Sequence, residues 1–510
     1  MHYYIEIAVF LILVVSFVIA YMASKRNRDI ISFLFEGNNW KWGASSNIGS
    51  IFSVTIFVGI FGSAYMAGSI SLLWFLILIV AGFGTVLWFL RQDKLQKFFE
   101  QKEGRKTNRF SIIEYVGQEY GSKTELAIIP FYIYFILLSL ALELAIFQAI
   151  LNHILPDAPI GSELLTLFIV LICYMYVSIG GFRGILWTDI FQLAIVSCVV
   201  LLFVIGGIQA TLSSGGVVNF GVDVAIKAWG PISLKTILCF IFFGLGGVIM
   251  WYPSSADFWI RTAGTIKGVS NVKRAIWVSF AVLLILILIL VFFALWARAN
   301  FGWTDYGEAF YYPLRVIDHF INGGLGIFGL VCLVVFASVI FLTTANTLLV
   351  TLAQLFYIFL KNIKAHKSSD VESNLYKFLS NVEVKWLLGI FLLLWVIHFA
   401  FISEANYGEW GTAWISLYLI VMPVILNAFL GNKIKVKDGD GWKGLILGYI
   451  IAISIVIFFL KRDPHFLKTI PPEIPIGYLF SVPMGYCLVL LFNKIFRKKT
   501  IKVDNNGEEE

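Results

Sequence analysis

The chain has 510 residues, 59% of them hydrophobic and 14% charged, with mean hydropathy +0.86 and a formal charge of +7. This composition excludes a soluble globular domain, because the apolar runs repeatedly reach the ~20 helical residues that cross a hydrocarbon core. Runs such as 281–295 are apolar on every side rather than alternating, so helices and not barrel strands span the bilayer.

Hydropathy predicts thirteen spans, at 3–23, 44–69, 71–90, 124–152, 163–179, 185–209, 235–255, 273–297, 325–360, 385–403, 409–430, 442–460 and 475–493. The first lacks a basic leader and a small-residue cleavage site, and reads as a retained helix. With the N-terminus outside and the C-terminus inside, the inner segments hold 31 of the 38 Lys and Arg residues. The positive-inside rule therefore favours that orientation. The formal charge follows from topology and gives no reason to invoke nucleic acid.

In chain order, the second span carries Gly49, Ser50, Ser53, Thr55, Gly59, Gly62, Ser63 and Gly68. That suits a partly unwound, cavity-lining helix, although small residues also serve close helix packing. The fourth span contains Glu143 and Gln148, which are costly in a membrane unless paired or hydrated. Glu143 either lines a pathway or is a hydrogen-bonded core carboxyl. Residues 180–184 are expected to turn between two helices, leaving Thr188 and Asp189 as caps or as functional groups at the mouth of the next helix. The seventh span holds Gly244-Leu245-Gly246-Gly247 and ends in Trp251-Tyr252-Pro253-Ser254-Ser255, five spans after the second. That matched pair is what an inverted repeat with two broken helices requires. Asp257 stands four residues before Arg261, the spacing of a helical ion pair, and the alternative is that it attracts a cationic solute. Thr343 and Thr344 follow in the ninth span, and His398 in the tenth reads as a packed side chain. Cys173, Cys198, Cys239, Cys332 and Cys487 fall in spans without pairing or metal-ligand spacing.

The run Gly180-Gly181-Phe182-Arg183-Gly184-Ile185-Leu186-Trp187-Thr188-Asp189-Ile190-Phe191-Gln192 closely resembles the GG-x-x-x-x-x-W-T-D-x-x-Q signature of the sodium/solute symporter family. Ser53, Gly59, Gly62, Tyr65 and Gly68 resemble the pattern of its first core helix. Trp251-Tyr252 through Arg261 with Val272-Lys273-Arg274-Ala275, and Arg109-Phe110-Ser111-Ile112-Ile113-Glu114-Tyr115 through Tyr120-Gly121, resemble two further family segments. The resemblance implies an all-α integral membrane protein with a leucine-transporter-like five-plus-five inverted repeat, its first and sixth core helices broken. The chain then divides into an extra helix and loop (1–43), a first repeat (44–234), a second repeat (235–430) and two final helices with a tail (431–510).

A sodium ion exchanges water for about five or six hard oxygens. By resemblance, its carbonyl ligands fall on Gly49 and Phe52. The family's paired hydroxyls should stand at Phe341 and Leu342, where this chain departs. Thr343-Thr344, two residues later, resembles the sodium-ligand segment of the related betaine/choline transporters. The competing reading is that these threonines bond to carbonyls of their own helix. Asp189 resembles the signature carboxylate near the ion's cytoplasmic exit. For the solute, the resemblance points to Ser53, Ile56, Ser255 and Asp257, while Ile51 and Ile56 speak against a sugar, whose buried hydroxyls each need a partner.

These readings lead to a sodium-coupled importer of a small organic solute in the plasma membrane, with sodium as coupling ion, the bilayer as surroundings and no cofactor. A proton-coupled or uncoupled carrier and a transporter-like solute sensor are the alternatives. No H-E-x-x-H or G-x-S-x-G motif and no catalytic carboxylate pair points to an enzyme. The oligomeric state is left open.

Overall fold

The computed structural model describes residues 2–25, 33–34, 39–67, 69–93, 95–98, 111–154, 162–214, 249–262, 266, 268–301, 313, 315–316, 326–363 and 428. The expected spans at 385–403, 409–430 (Ala428 apart), 442–460 and 475–493 lie outside them, as do His398 and the Gly244–Gly247 run. Among the described residues the longer elements are helices: α1 (His2–Ser24), α2 (Trp40–Ile51), α3 (Val54–Ala67), α4 (Ser69–Phe89), α5 (Ile112–Tyr120), α6 (Ser122–Ile154), α7 (Ser162–Ser214), α8 (Ile249–Ser254), α9 (Ala256–Thr262), α10 (Val269–Phe301) and α11 (Gly326–Ile363).

Among the described residues α1, α6, α7, α10 and α11 are each long and apolar enough to cross a bilayer, and the bent pair α2–α3 makes a sixth span if counted as one. The chain is a multi-pass membrane protein. α6 and α11 are largely covered by other helices, whereas α1 leaves Tyr4, Ile7, Phe10, Leu11 and Val18 exposed. Exposed aliphatic and aromatic side chains on a membrane helix face hydrocarbon, which puts α1 outside and α6 and α11 at the centre. α1 packs along α7, α11 packs on both α6 and α7, and α2 is in contact with α7, α10 and α11.

The second expected span is two helices, bent by 57° at Phe52 and Ser53. α2 ends as the Phe52 amide donates back to Ile48 (2.9 Å), at a residue with φ −81° and ψ 71°. α3 then begins with Ser53 as its cap, the hydroxyl accepting from the Ile56 amide at 3.1 Å. A second break falls at Ser255, between α8 and α9, and repeats the device: the Ser255 hydroxyl accepts from the Phe258 amide at 3.4 Å. The carbonyls just before this break are served by side chains, that of Pro253 by the Trp259 indole at 2.7 Å and that of Ser254 by the Tyr132 hydroxyl.

The turn expected at residues 180–184 is present as a kink at Gly181, which divides α7 into two helical arms, 162–180 and 182–214. Gly181 alone leaves the helical region, with φ 59° and ψ −159°, a conformation open to glycine and strained for other residues. A Cβ there would run into the carbonyl and ring of Phe33. One glycine thus redirects the chain without a loop.

Candidate ion and solute site

Two neighbouring features occupy the space where the broken helices face α6, α7 and α11. The first is built from oxygen atoms at the α2 break. The Thr343 hydroxyl lies 2.8 Å from the Gly49 carbonyl and 2.9 Å from the Ile340 carbonyl of its own helix. A hydroxyl has one proton, so it serves one of these carbonyls at a time. Thr344 bonds to the Ile340 carbonyl at 3.2 Å. The back-bonding expected as the competing reading is therefore present in both threonines, and Thr343 also reaches across to α2. Phe341 is stacked on Phe147 of α6, with ring centroids 4.6 Å apart, and Leu342 is fully buried. The hydrocarbon pair thus serves helix packing, and the threonines after it meet the break. Phe52 turns its ring edge-on to Phe336, at 6.3 Å, and its main chain forms the end of α2.

One helical turn along α2 and α11 lies a network around Asp189, whose side chain is fully buried. Its carboxylate accepts from the Ser46 hydroxyl at 2.6 Å and from the Asn346 amide at 3.2 Å. The Thr347 hydroxyl lies 2.8 Å from the Thr343 carbonyl of its own helix and 3.1 Å from the Asn346 side-chain carbonyl, its one proton serving either. The Arg261 guanidinium donates to the Ser46 carbonyl at 2.6 Å, so Ser46, which donates to Asp189, also joins the buried arginine to it. The capping role considered for Thr188 and Asp189 is corrected here. Both stand well inside α7, with Thr188 donating to the Ile185 carbonyl at 2.9 Å, because the bend that would have exposed them is at Gly181. Asn47, fully buried in the same turn of α2, has neither atom of its amide bonded within the described protein.

The second feature is a cavity of about 280 Å³ bounded by both breaks. All four residues expected to face a solute line it: Ser53, Ile56, Ser255 and Asp257. Thr344 lines it too, so the threonine pair has Thr343 on the Gly49 carbonyl and Thr344 at the cavity wall. Glu143, from α6, completes the wall and accepts on one carboxyl oxygen from the amides of Val54 (3.0 Å) and Thr55 (3.4 Å). It satisfies amides that α3 leaves free at its first turn. The Asp257 carboxylate accepts from the Ser255 hydroxyl.

Sequence reasoning missed Ser46 and Asn346, and it gave Arg261 a partner on its own helix. The signal was present in the spacing. Ser46 stands three residues before Gly49 and Asn346 three after Thr343, one turn along each helix from a residue already singled out. Cys173, Cys198 and Cys332 are free thiols.

No family model matches the chain, and no curated protein matches it in sequence. Solved structures do match in fold. Over 96% of both chains it is similar to a Na+-coupled sialic acid symporter in a substrate-bound outward-open state, at TM-score 0.69 and 15% identity. Over 95% of this chain and 97% of the other it is similar to a nucleobase-cation-symport-1 family transporter in a closed conformation with bromovinylhydantoin bound, at TM-score 0.50 and 12% identity. Both neighbours are transporters and not enzymes. At these identities the likeness speaks for architecture, and the architecture of this multi-pass membrane protein is the leucine-transporter-like fold.

Proposed function

We propose that the chain is a secondary active transporter that imports a small organic solute by sodium-coupled symport, with its N-terminus outside the cell membrane and its C-terminus inside. The observation that carries this reading is the Thr343 hydroxyl set against the Gly49 carbonyl at the break of the second span, beside a cavity bounded by both breaks. Carbonyl and hydroxyl oxygens are what a hard monovalent cation selects. With sodium seated, the Thr343 hydroxyl donates its proton towards the Ile340 carbonyl and turns its own lone pairs to the ion, joined by the carbonyls of Gly49 and Phe52 and the Thr344 hydroxyl. The ion then clamps α2 to α11 and orders the turn that presents Ser53 and Ile56 to the cavity. Sodium and solute favour the same conformation, and this shared preference is all that coupling requires. Asp189, one turn away, receives the ion as it leaves.

The test is solute-dependent stabilisation and uptake in sodium against potassium, using purified protein and proteoliposomes. Binding that needs sodium, with half-saturation shifted at least about tenfold by Thr343→Val, supports the reading; tenfold corresponds to about 1.4 kcal/mol, the scale of one lost ligand contact. Equal binding in both salts sinks it. A second reading, proton coupling, is favoured by the Glu143 carboxyl at the cavity wall. It predicts sodium-free uptake driven by an acid exterior and abolished by Glu143→Gln.

A further inference from the structure

We propose that the solute is an organic cation, an amine or quaternary ammonium whose positive charge is taken by Glu143 and Asp257; this rests on the reading that the cavity between the two breaks holds the transported solute. The first argument is occupancy. The α3 N-terminus at the break is the natural seat for a solute's carboxylate, since its free amides and the positive end of its dipole point there. In this chain the seat is taken, because the Glu143 carboxyl already accepts from the Val54 and Thr55 amides. An incoming carboxylate would find those donors used and a like charge beside it.

The second argument is the lining. Glu143 and Asp257 both face the cavity, and among its described lining residues there is no Lys, Arg or His. Phe135, Tyr252 and Phe258 line it as well, Tyr252 and Phe258 with ring centroids 5.8 Å apart. Aromatic faces beside carboxylates are the chemistry that recognises ammonium groups, through attraction to the ring quadrupole. The third argument is charge balance. Among the described residues around the two features, the acidic Glu143, Asp189 and Asp257 stand against the basic Arg261, an excess of two acidic groups. One coupling cation offsets one of these, and a singly charged solute offsets the other.

Two experiments on the full-length protein in membranes test the proposal. In the first, Ile56→Cys places a thiol in the cavity wall, and labelling of residue 56 by trimethylammonioethyl and sulfonatoethyl methanethiosulfonates is followed by peptide mass. Relative to a free thiol in solution, the cationic reagent should be favoured at least tenfold, and Asp257→Asn or Glu143→Gln should each lower that preference severalfold. Equal rates, a faster sulfonate, an unlabelled thiol, or a preference untouched by both substitutions would overturn the proposal. In the second, benzylamine and benzyltrimethylammonium are compared with benzoate as thermal stabilisers, in sodium and in potassium. Stabilisation by the cations alone supports the proposal, and stabilisation by benzoate overturns it. A cation preference that persists unchanged in potassium counts against sodium coupling while leaving the charge selectivity standing, so the two readings fail separately.

Discussion

Gly49 and Thr343 show how a single missing side chain sets the distance between two helices. A Cβ at Gly49 would lie 3.3 Å from the Thr343 Cβ and 3.4 Å from its methyl group, close enough to push the threonine away by a few tenths of an ångström. Its hydroxyl stands 2.8 Å from the Gly49 carbonyl, so that displacement acts directly on the oxygen pair. Gly49→Ala should therefore weaken sodium binding about tenfold, near the ~1 kcal/mol worth of a typical polar contact. Thr343→Ser removes the crowding methyl and keeps the hydroxyl. The double variant should accordingly recover most of the loss, as read by sodium titration of thermal stability. If Gly49→Ala titrates like the unaltered protein, the ion does not sit here. At this scale the sequence was partly legible. Thr343 and Thr344 were readable as oxygen donors by resemblance, because side-chain chemistry travels with a motif. Which of the two met the break was not, since that depends on the rotation of α11 against α2.

At the scale of elements, two helix discontinuities and one bend shape the site, and each has a local cause. The break at Ser53 was legible as a run of glycines and hydroxyls, and the one at Ser255 as a proline followed by two serines. The Gly180–Gly184 stretch was read as a turn, because adjacent glycines ordinarily end helices. That turn is the kink at Gly181, the residue of the stretch at positive φ, with a helical arm on either side. Gly181→Ala should destabilise the fold by about 2 kcal/mol or more, from backbone strain together with the collision with Phe33. Gly84→Ala, at a helical residue where an added Cβ meets nothing within 4 Å, serves as the control in the same thermal-denaturation series. A Gly181→Ala variant as stable as its control would mean that the bend is not held as described. The α3 start allows a different test, because Glu143 reaches it from a position 89 residues away. No local pattern foretells that contact; a lone acid in an apolar helix announces only that some partner exists. Glu143→Gln keeps an accepting oxygen for the Val54 and Thr55 amides, whereas Glu143→Leu leaves them unserved at a cost of about 1–3 kcal/mol. The leucine variant should thus melt well below the glutamine variant, and equal melting would remove the cap from the account.

At the scale of the whole molecule, Ser46, Asp189, Arg261 and Asn346 tie α2, α7, α9 and α11 into one buried polar knot beneath the oxygen pair. Those contacts join residues as far as 215 positions apart, and this is why only Asp189 of the four was singled out beforehand for a place at the site. The knot has two possible duties, structural and ionic, and they separate under substitution. Asp189→Asn keeps the shape of the side chain but strips the negative charge that shares Ser46 with Arg261, leaving a guanidinium buried with less compensation. Breaking a buried charge arrangement from one side costs about 3–5 kcal/mol, whereas replacing both sides by groups of similar volume is often close to neutral. Asp189→Asn alone should therefore lower the melting temperature sharply, and Asp189→Asn with Arg261→Met should restore most of it. If Asp189 also receives the departing ion, the repaired protein will fold and bind sodium at the Thr343 oxygens yet transport solute slowly. Recovery of uptake in step with stability would assign the carboxylate to the scaffold alone. Recovery of stability without uptake would assign it to the ion's path, because the double variant removes the charge while leaving the helices assembled around the place it occupied.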